Sequence, residues 1–144
     1  NDDFATGYIG LMGNPHAIGD AFHITSDESL TWDQIYRTIA DALSVELKAY
    51  HVSSEFLADV GEKYGYDFRG QLLGDKAVSV VFDNTKLKRI VPQMTTNIPF
   101  NEGVRRVLDH VLSHSEEYEE DPEFDKFCDK VISALEDAKK KVLE

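Results

Sequence analysis

The chain of 144 residues has one cysteine, no long apolar run and no excess of basic charge. Because Cys128 stands alone, an internal disulfide framework is excluded, and a reducing compartment such as the cytoplasm is favoured. No apolar run approaches the roughly 18 residues that a membrane-spanning helix needs. The opening residues, Asn1 to Asp3, lack the basic charge with which a secretory leader begins. We therefore expect a cytoplasmic protein that has no membrane as a partner.

Basic residues are outnumbered by acidic ones, 15 to 27, which gives a formal net charge of −12. Nucleic-acid backbones and anionic lipids are bound by clustered Lys and Arg side chains, so this balance excludes both as partners. The acidic excess is uneven, because much of it lies within residues 116–123. The rest of the chain is therefore less repulsive to a phosphorylated small molecule than the total charge indicates.

Residues 19–43 combine signals for a strand and a helix. Residues 21–25 predict a short strand, which an acidic turn follows. Thr31 and Gln34 have the spacing of a capping box, in which each side chain bonds an unpaired backbone N–H at the helix start. The apolar stripe of that helix consists of Ile35, Ile39 and Leu43. A second apolar run at 47–52 completes a strand–helix–strand order, which predicts a parallel strand pair crossed over by the helix.

The remaining pattern contains helices, one loop and one more strand. Residues 64–74 predict an ordered loop, and the alternation over 78–82 predicts a third strand. Helices are predicted over residues 3 to 13, after a cap at Ser53 or Ser54, after a cap at Asp83-Asn84-Thr85 as far as Pro92, after Asn101, and from about Pro122. We therefore expect an α/β fold, a mixed α+β lobe with a small, largely parallel sheet, several helices and a long C-terminal helix.

Residues 6–13 spell TGYIGLMG, which matches the TGxxGxxG dinucleotide fingerprint of short-chain dehydrogenases. That motif needs a buried strand before it and a helix after it, so that its glycines admit the pyrophosphate at the helix start. Residues 1–5 do not form a buried strand pattern, and too few residues follow before Ala21 to hold a crossover helix. Asp27 therefore lacks the scaffold of a ribose ligand, and we interpret residues 6–13 as a glycine-containing amphipathic helix.

Four short motifs follow one another between residues 2 and 112. They are Asp3-Phe4-Ala5, Gly19-Asp20-Ala21-Phe22-His23-Ile24-Thr25, Phe82-Asp83-Asn84-Thr85-Lys86-Leu87-Lys88-Arg89-Ile90 and Phe100-Asn101-Glu102-Gly103-Val104-Arg105-Arg106-Val107-Leu108. In this order they resemble the carboxyl half of the extended short-chain dehydrogenases/reductases, the NAD-dependent epimerase/dehydratase family.

The resemblance implies a two-lobed enzyme of which this chain is the substrate-binding, C-terminal part. Residues 1–112 would form the substrate-binding lobe, and residues 113–144 an acidic connection with a C-terminal amphipathic helix as an extension. A Rossmann lobe, absent from this chain, would hold NAD or NADP and a catalytic Tyr-x-x-x-Lys pair. None of the six tyrosines here has a lysine four residues later. We therefore expect no catalytic residue and no bound cofactor in this chain, which would be inactive without its missing lobe.

The resemblance also implies contacts to a small-molecule substrate. Phe22, His23 and Thr25 match the family's substrate strand, and His23 stands at an Asn/His position from which the ring could bond the substrate. The alternative for His23 is a core histidine satisfied by the backbone. Sugar-nucleotide enzymes of the family carry an arginine in an R-x-G-D turn, and that arginine is missing here. Arg69 or Lys76 could replace it, the alternative being a solvated surface role for each.

Three other groups favour structural roles. His110 and His114 lie four residues apart on a predicted helix, but no third ligand has a known metal-site spacing, so we expect no metal. Cys128 lies on an apolar stripe without a basic neighbour, which predicts a buried, unreactive thiol. The acidic run at 116–123 lacks the ligand and glycine pattern of a calcium loop and is interpreted as solvated.

A function of a different class stays open. The chain could be a free-standing acidic protein-interaction module that docks through its C-terminal helix on a partner or on a second copy, as a homodimer. An exposed apolar stripe of that size would mark an interface. The residues of this stripe are Phe124, Phe127, Val131 and Leu135.

Overall fold

The computed structural model describes residues 2–144 of the chain, and over them the regular structure is helical. Within residues 2–144 the six α-helices are α1 (Asp2–Leu11), α2 (Trp32–Leu43), α3 (Ser54–Glu62), α4 (Thr85–Ile90), α5 (Phe100–Ser113) and α6 (Pro122–Leu143). A π-helix covers Arg69–Asp75, and a single turn of 3₁₀-helix covers Ser115–Glu117.

The predicted α/β fold with a parallel sheet is wrong, because residues 2–144 contain no strand. Strands are stable only when their backbone N–H and C=O groups pair along a ladder with a neighbour. In the first of the three predicted strands, side chains bond the backbone instead. The Asn84 side-chain amide donates to the carbonyl of Thr25 at 3.0 Å, and Lys86 Nζ donates to the carbonyl of Ala21 at 3.0 Å. The segments 47–52 and 78–82 are likewise irregular.

The chain divides into two compact units, each built from two separate stretches. Unit 1 comprises the described residues up to Leu47 together with Val80–Ser113. Unit 2 comprises Lys48–Ser79 and His114–Glu144. Unit 2 thus draws on both sides of residue 112, and the division into a lobe over 1–112 and an extension over 113–144 stays a prediction.

The core of unit 1 forms where α4 and the residues after it pack against α1. Leu87 and Val91 are completely buried, and Met94 is almost so. The half-buried side chains around them are those of Leu11, Phe22, Ile24 and Ile90. Helix α1 contributes side chains to this core, and its glycines allow its backbone to lie close to the core.

Gly7 and Gly10 allow α1 to lie against the core at close range. A methyl group added at Gly7 would lie 2.9 Å from Ile24 Cγ2 and 3.1 Å from Met94 Sδ. A methyl group added at Gly10 would overlap Val91 Cγ1. The predicted glycine-containing helix over residues 3 to 13 is therefore confirmed, with Asp2 and Leu11 as its ends.

Gly10→Ala is expected to lower the free energy of unfolding by about 1–3 kcal/mol, because the added methyl group overpacks the contact with Val91. Gly103→Ala is the matched control, since its methyl group would meet only Ile98 Cγ2, at an ordinary 3.8 Å. Within α5 that change should stabilise by about 0.5–1 kcal/mol through the better helix propensity of alanine. Urea denaturation of both variants measures the difference, and equal effects would contradict the close approach of α1.

The predicted helix after Thr31 is confirmed together with its capping box. The N–H of Gln34 donates to Thr31 Oγ1 at 3.3 Å, and the N–H of Thr31 donates to Gln34 Oε1 at 2.8 Å. At the other end Ser44 takes a left-handed conformation with φ of 56°, and its N–H bonds the carbonyls of Ala40 and Asp41. The capping box and the left-handed residue set where α2 begins and ends. Helix α2 packs against α5 in unit 1.

Unit 2 is held by a cluster of aromatic rings, which we call the aromatic cluster. Its members are Tyr64, Tyr66, Phe68, Phe124 and Phe127. The ring centroid of Phe127 lies 5.2 Å from that of Tyr64 and 5.1 Å from that of Tyr66. Asp121 caps α6 by accepting the N–H of Phe124 at 3.0 Å, which confirms the predicted start of the long helix. The predicted loop over 64–74 is wrong from Arg69 onward, where the π-helix begins.

Candidate functional site

An open pocket of about 600 Å³, with both polar and apolar side chains in its wall, lies in unit 1, and we call it the Asp27 pocket. Its wall is formed by the turn after Thr25 and by the residues that lead into and through α4. The charged and amide side chains in this wall are Asp27, Asp83, Asn84, Lys88 and Arg89. Its volume lies within the range of small-molecule sites in proteins.

The carboxylate of Asp27 accepts hydrogen bonds from three side chains. Lys88 Nζ donates to Oδ1 and Oδ2 at 2.5 and 2.7 Å, and Asn84 Nδ2 donates to Oδ1 at 2.8 Å. Thr96 Oγ1 donates to Oδ2 at 2.8 Å. The bond from Lys88, followed by those from Asn84 and Thr96, lowers the pKa of Asp27 from 3.8 to about 2. Asp27 is therefore ionised at neutral pH and links the turn to α4.

Asn84 is the buried polar side chain of this pocket, with 8% of its surface exposed. Its amide nitrogen donates to Asp27 Oδ1 and also to the carbonyl of Thr25. Because a primary amide has two N–H donors, both are used in this arrangement. Asn84 makes no hydrogen bond that caps α4. Asp83 caps the helix instead, because its carboxylate accepts the N–H of Thr85 at 2.8 Å.

The charges in the Asp27 pocket are balanced. The hydroxyl and the N–H of Thr85 bond Asp83 and hold the pKa of that carboxyl below its usual value, so Asp83 is ionised beside Arg89 at neutral pH. Two carboxylates and two cations thus line one cavity. Such a lining favours a neutral polar molecule that both donates and accepts hydrogen bonds.

Asp27→Asn is expected to lower the urea midpoint of unfolding at neutral pH and to have little effect near pH 2. The folded pKa of Asp27 lies near 2 and below the ordinary 3.8, so the stabilisation is complete above 3.8 and is lost as the pH falls through about 2. The asparagine side chain is uncharged and cannot form the ion pair that Asp27 makes with Lys88. Asp41→Asn, at an exposed position on α2, should move the midpoint little at either pH. A deficit in Asp27→Asn that persists unchanged near pH 2 would contradict this linkage.

Two of the predicted substrate contacts lie beside the Asp27 pocket. The ring of His23 is exposed and meets the lining residue Phe82 edge to face, with centroids 4.9 Å apart. The carbonyl of Thr25 is bonded by Asn84. Phe22 instead packs on the core of unit 1, and Lys86 Nζ lies 4.7 Å from the centroid of its ring. The roles of all three in substrate binding stay predictions.

The two cationic candidates belong to unit 2 and make surface ion pairs. Arg69 Nη2 lies 2.5 Å from Asp59 Oδ1, and both side chains are exposed. Lys76 Nζ lies 3.3 Å from Asp75 Oδ2, and both of these are exposed as well. The surface role that was the alternative for each residue agrees with these contacts. The contact of either residue with a substrate phosphate stays a prediction.

The glycine string at 6–13 does not fit a dinucleotide. Residues up to Leu11 form α1, and Gly7 and Gly10 face the side chains of the core. A phosphate cradle needs backbone N–H groups open to the ligand at a helix start, whereas these N–H groups lie within a helix. Among residues 2–144 there is also no group of three or more His, Cys, Asp or Glu side chains that could hold a metal ion.

The thiol of Cys128 is half-buried on α6. Burial raises its pKa, and the nearby carboxylates of Asp125 and Asp129 raise it further. Since the thiolate is the reactive form, these surroundings make the side chain a poor nucleophile at neutral pH.

No protein-family model, no curated protein and no solved structure matches this chain. None of the helices within residues 2–144 has both the length and the apolar character needed to cross a bilayer.

Proposed function

We propose that this chain is the substrate-binding part of an NAD(P)-dependent epimerase, dehydratase or reductase and is inactive by itself. Support comes from the four motifs that resemble that family and from the Asp27 pocket, to which residues of one of those motifs, at 82–90, contribute. In this proposal a separate Rossmann lobe supplies the nucleotide and the Tyr–Lys pair. The residues of the present chain bind and orient the substrate.

The observation that carries the proposal is an exposed apolar segment at the rim of the pocket. Val80, Val81 and Phe82 are 65%, 78% and 54% exposed, and the last two line the Asp27 pocket. Consecutive large apolar side chains in water are costly and mark an interaction surface. A second lobe that covers this segment would close the pocket from one side. The substrate would then lie between this chain and the lobe that carries the chemistry.

The side chains that line the pocket support a proposal for the class of substrate. Hydroxyl groups of Ser26 and Ser29 line it alongside the balanced charges. Each hydroxyl can donate one hydrogen bond and accept others, which suits the hydroxyl groups of a small polar molecule. We therefore propose a neutral, hydroxyl-bearing substrate. In the complete enzyme the general acid/base would come from the other lobe.

The first experiment determines the coding sequence that precedes residue 1. The proposal expects, within roughly the size of one domain, a buried strand followed by TGxxGxxG and then a Tyr-x-x-x-Lys pair. Fluorescence titration with NADH should give binding to the complete protein and none to the 144-residue chain. A preceding sequence without these motifs would overturn the proposal, and so would tight NADH binding by the chain alone.

The second experiment places a charge on the exposed segment of the complete protein. Val81→Asp should lower kcat/KM at least about tenfold, a loss of roughly 1.4 kcal/mol of transition-state stabilisation, while the Kd for NADH is unchanged. Ile18→Asp is the matched control, because Ile18 is 79% exposed in the same unit and does not line the pocket. Equal activities of the two variants would show that the segment is not the covered surface.

The alternative, a module that docks through α6, has weaker support. Phe127 is 4% exposed and Phe124 contacts it within the aromatic cluster of unit 2. Val131 and Leu135 are half-buried. The stripe that was expected to meet a partner is therefore covered in part by the chain itself.

A further inference from the structure

A second pocket of unit 1 is an apolar groove of about 700 Å³ between α2 and α5, and we call it the α2–α5 groove. Ile35 and Ile39 line it from α2, and Val104, Val107 and Leu108 line it from α5. Leu30 closes one wall. Since these positions recur at helical spacing, the two helices present apolar faces to the same groove.

The groove is incompletely covered by the chain. Val107 is 60% exposed and Leu30 is 37% exposed, although both are large apolar side chains. Burying one such side chain contributes roughly 1.5–3 kcal/mol. A ligand that fills the groove therefore gains apolar contacts that the two helices leave unmade.

The charged residues in the groove lining are both acidic and lie at one end. Asp3 Oδ2 accepts the N–H of Ile98 at 3.0 Å, and Glu28 Oε2 accepts the N–H of Phe100 at 2.7 Å. These bonds hold the two carboxylates beside the segment that leads into α5. A carboxylate has about four acceptor positions on its two oxygens, so each can also accept a bond from a cation in a ligand.

We propose that the α2–α5 groove binds an amphipathic helix of another protein that carries apolar residues on one face and Lys or Arg at one end. Apolar side chains three and four residues apart would enter the groove, as in other helix-in-groove complexes. The cations would reach Asp3 and Glu28, and the net charge of −12 would favour approach of a basic segment. A second copy of this acidic chain would be repelled by the same charge.

The experiment uses the 144-residue chain and two synthetic helical peptides with the same leucine face. One peptide carries Lys at one end of that face and Gln on its other polar positions, and the second peptide differs only in carrying Glu in place of Lys. Isothermal titration calorimetry should give binding of the Lys peptide only, and added salt should weaken it through screening. Absence of binding by the Lys peptide would overturn the proposal, and so would equal binding of the two peptides.

Two pairs of variants locate the binding surface. Val107→Gln should weaken binding of the Lys peptide at least about tenfold, the effect of losing one buried apolar contact of roughly 1.4 kcal/mol. Leu112→Gln is the matched control on the same helix, because Leu112 is 64% exposed but lies outside the groove. Neither substitution changes the net charge of the chain, so the pair tests the apolar contact separately from electrostatic attraction. Equal affinities of these two variants would overturn the proposed location.

The second pair tests the carboxylates. Glu28→Gln retains an oxygen that can accept the N–H of Phe100 but removes the charge. This variant should bind the Lys peptide severalfold more weakly than wild type. Asp41→Asn removes a charge from α2 outside the groove and should leave the affinity unchanged. Circular dichroism verifies that each variant is folded. If Glu28→Gln binds like wild type, the proposed contact between the carboxylate and the basic end is wrong.

Discussion

Phe127→Ala is expected to lower the free energy of unfolding by about 3–5 kcal/mol, the usual loss for a large aromatic side chain in a core. Phe127 is 4% exposed, and its ring meets those of Tyr64, Tyr66, Phe68 and Phe124. Alanine would remove the ring at the centre of the aromatic cluster and leave a cavity among the other four. No comparable group of buried side chains is described in unit 2 to compensate.

Near-ultraviolet circular dichroism measures this loss, because Tyr64 and Tyr66 lie in the cluster and take their signal from its packing. Urea denaturation followed by that signal should give a much lower midpoint in the variant. Val142→Ala is the control, since Val142 is on the same helix and 85% exposed, and it should change stability by no more than about 0.5 kcal/mol. Similar midpoints for the two variants would show that the aromatic cluster does not stabilise unit 2.

Leu87→Ala is the second large change, with an expected loss of about 2–5 kcal/mol. Leu87 is fully buried between α1 and the residues after α4, in contact with Val91 and Met94. The loss combines the transfer free energy of the isopropyl group that alanine lacks with the cost of the cavity that remains. Leu87→Met keeps nearly the same volume and should cost less than about 1.5 kcal/mol.

The fluorescence of Trp32 follows unfolding of this unit, because it is the one tryptophan of the chain and begins α2 in unit 1. Ile18→Ala provides the exposed control in the same unit and should move the midpoint little. An equal loss in Leu87→Ala and Leu87→Met would contradict a packing role, since the methionine fills the space that alanine leaves.

The helices could be predicted because their signals are local. Thr31 and Gln34 are three residues apart, and the capping box they form needs no other part of the chain. The strands could not be predicted reliably from the same kind of pattern. Alternation over 78–82 describes which side chains share a face, but a strand forms only if a distant segment supplies the pairing. In residues 2–144 no such pairing occurs.

Most contacts within the candidate site could not be predicted from the sequence. Asp27 lies 57 positions from Asn84, 61 from Lys88 and 69 from Thr96, and no short motif encodes contacts at such separations. The sequence pattern points to Asp27 only as a ribose ligand in a nucleotide fingerprint and to Asn84 only as a helix cap. Their side chains turned out to bond each other.

The close packing of Gly10 on Val91 makes these two positions dependent on each other through volume. A larger residue at position 10 would fit only if position 91 became smaller, so substitutions at the two sites should covary among relatives of this chain. Gly7 and Gly10 of the string TGYIGLMG would then be preserved because the core of unit 1 leaves no space for a larger side chain. A search that scores this string by its letters would mistake a packing constraint for a nucleotide site.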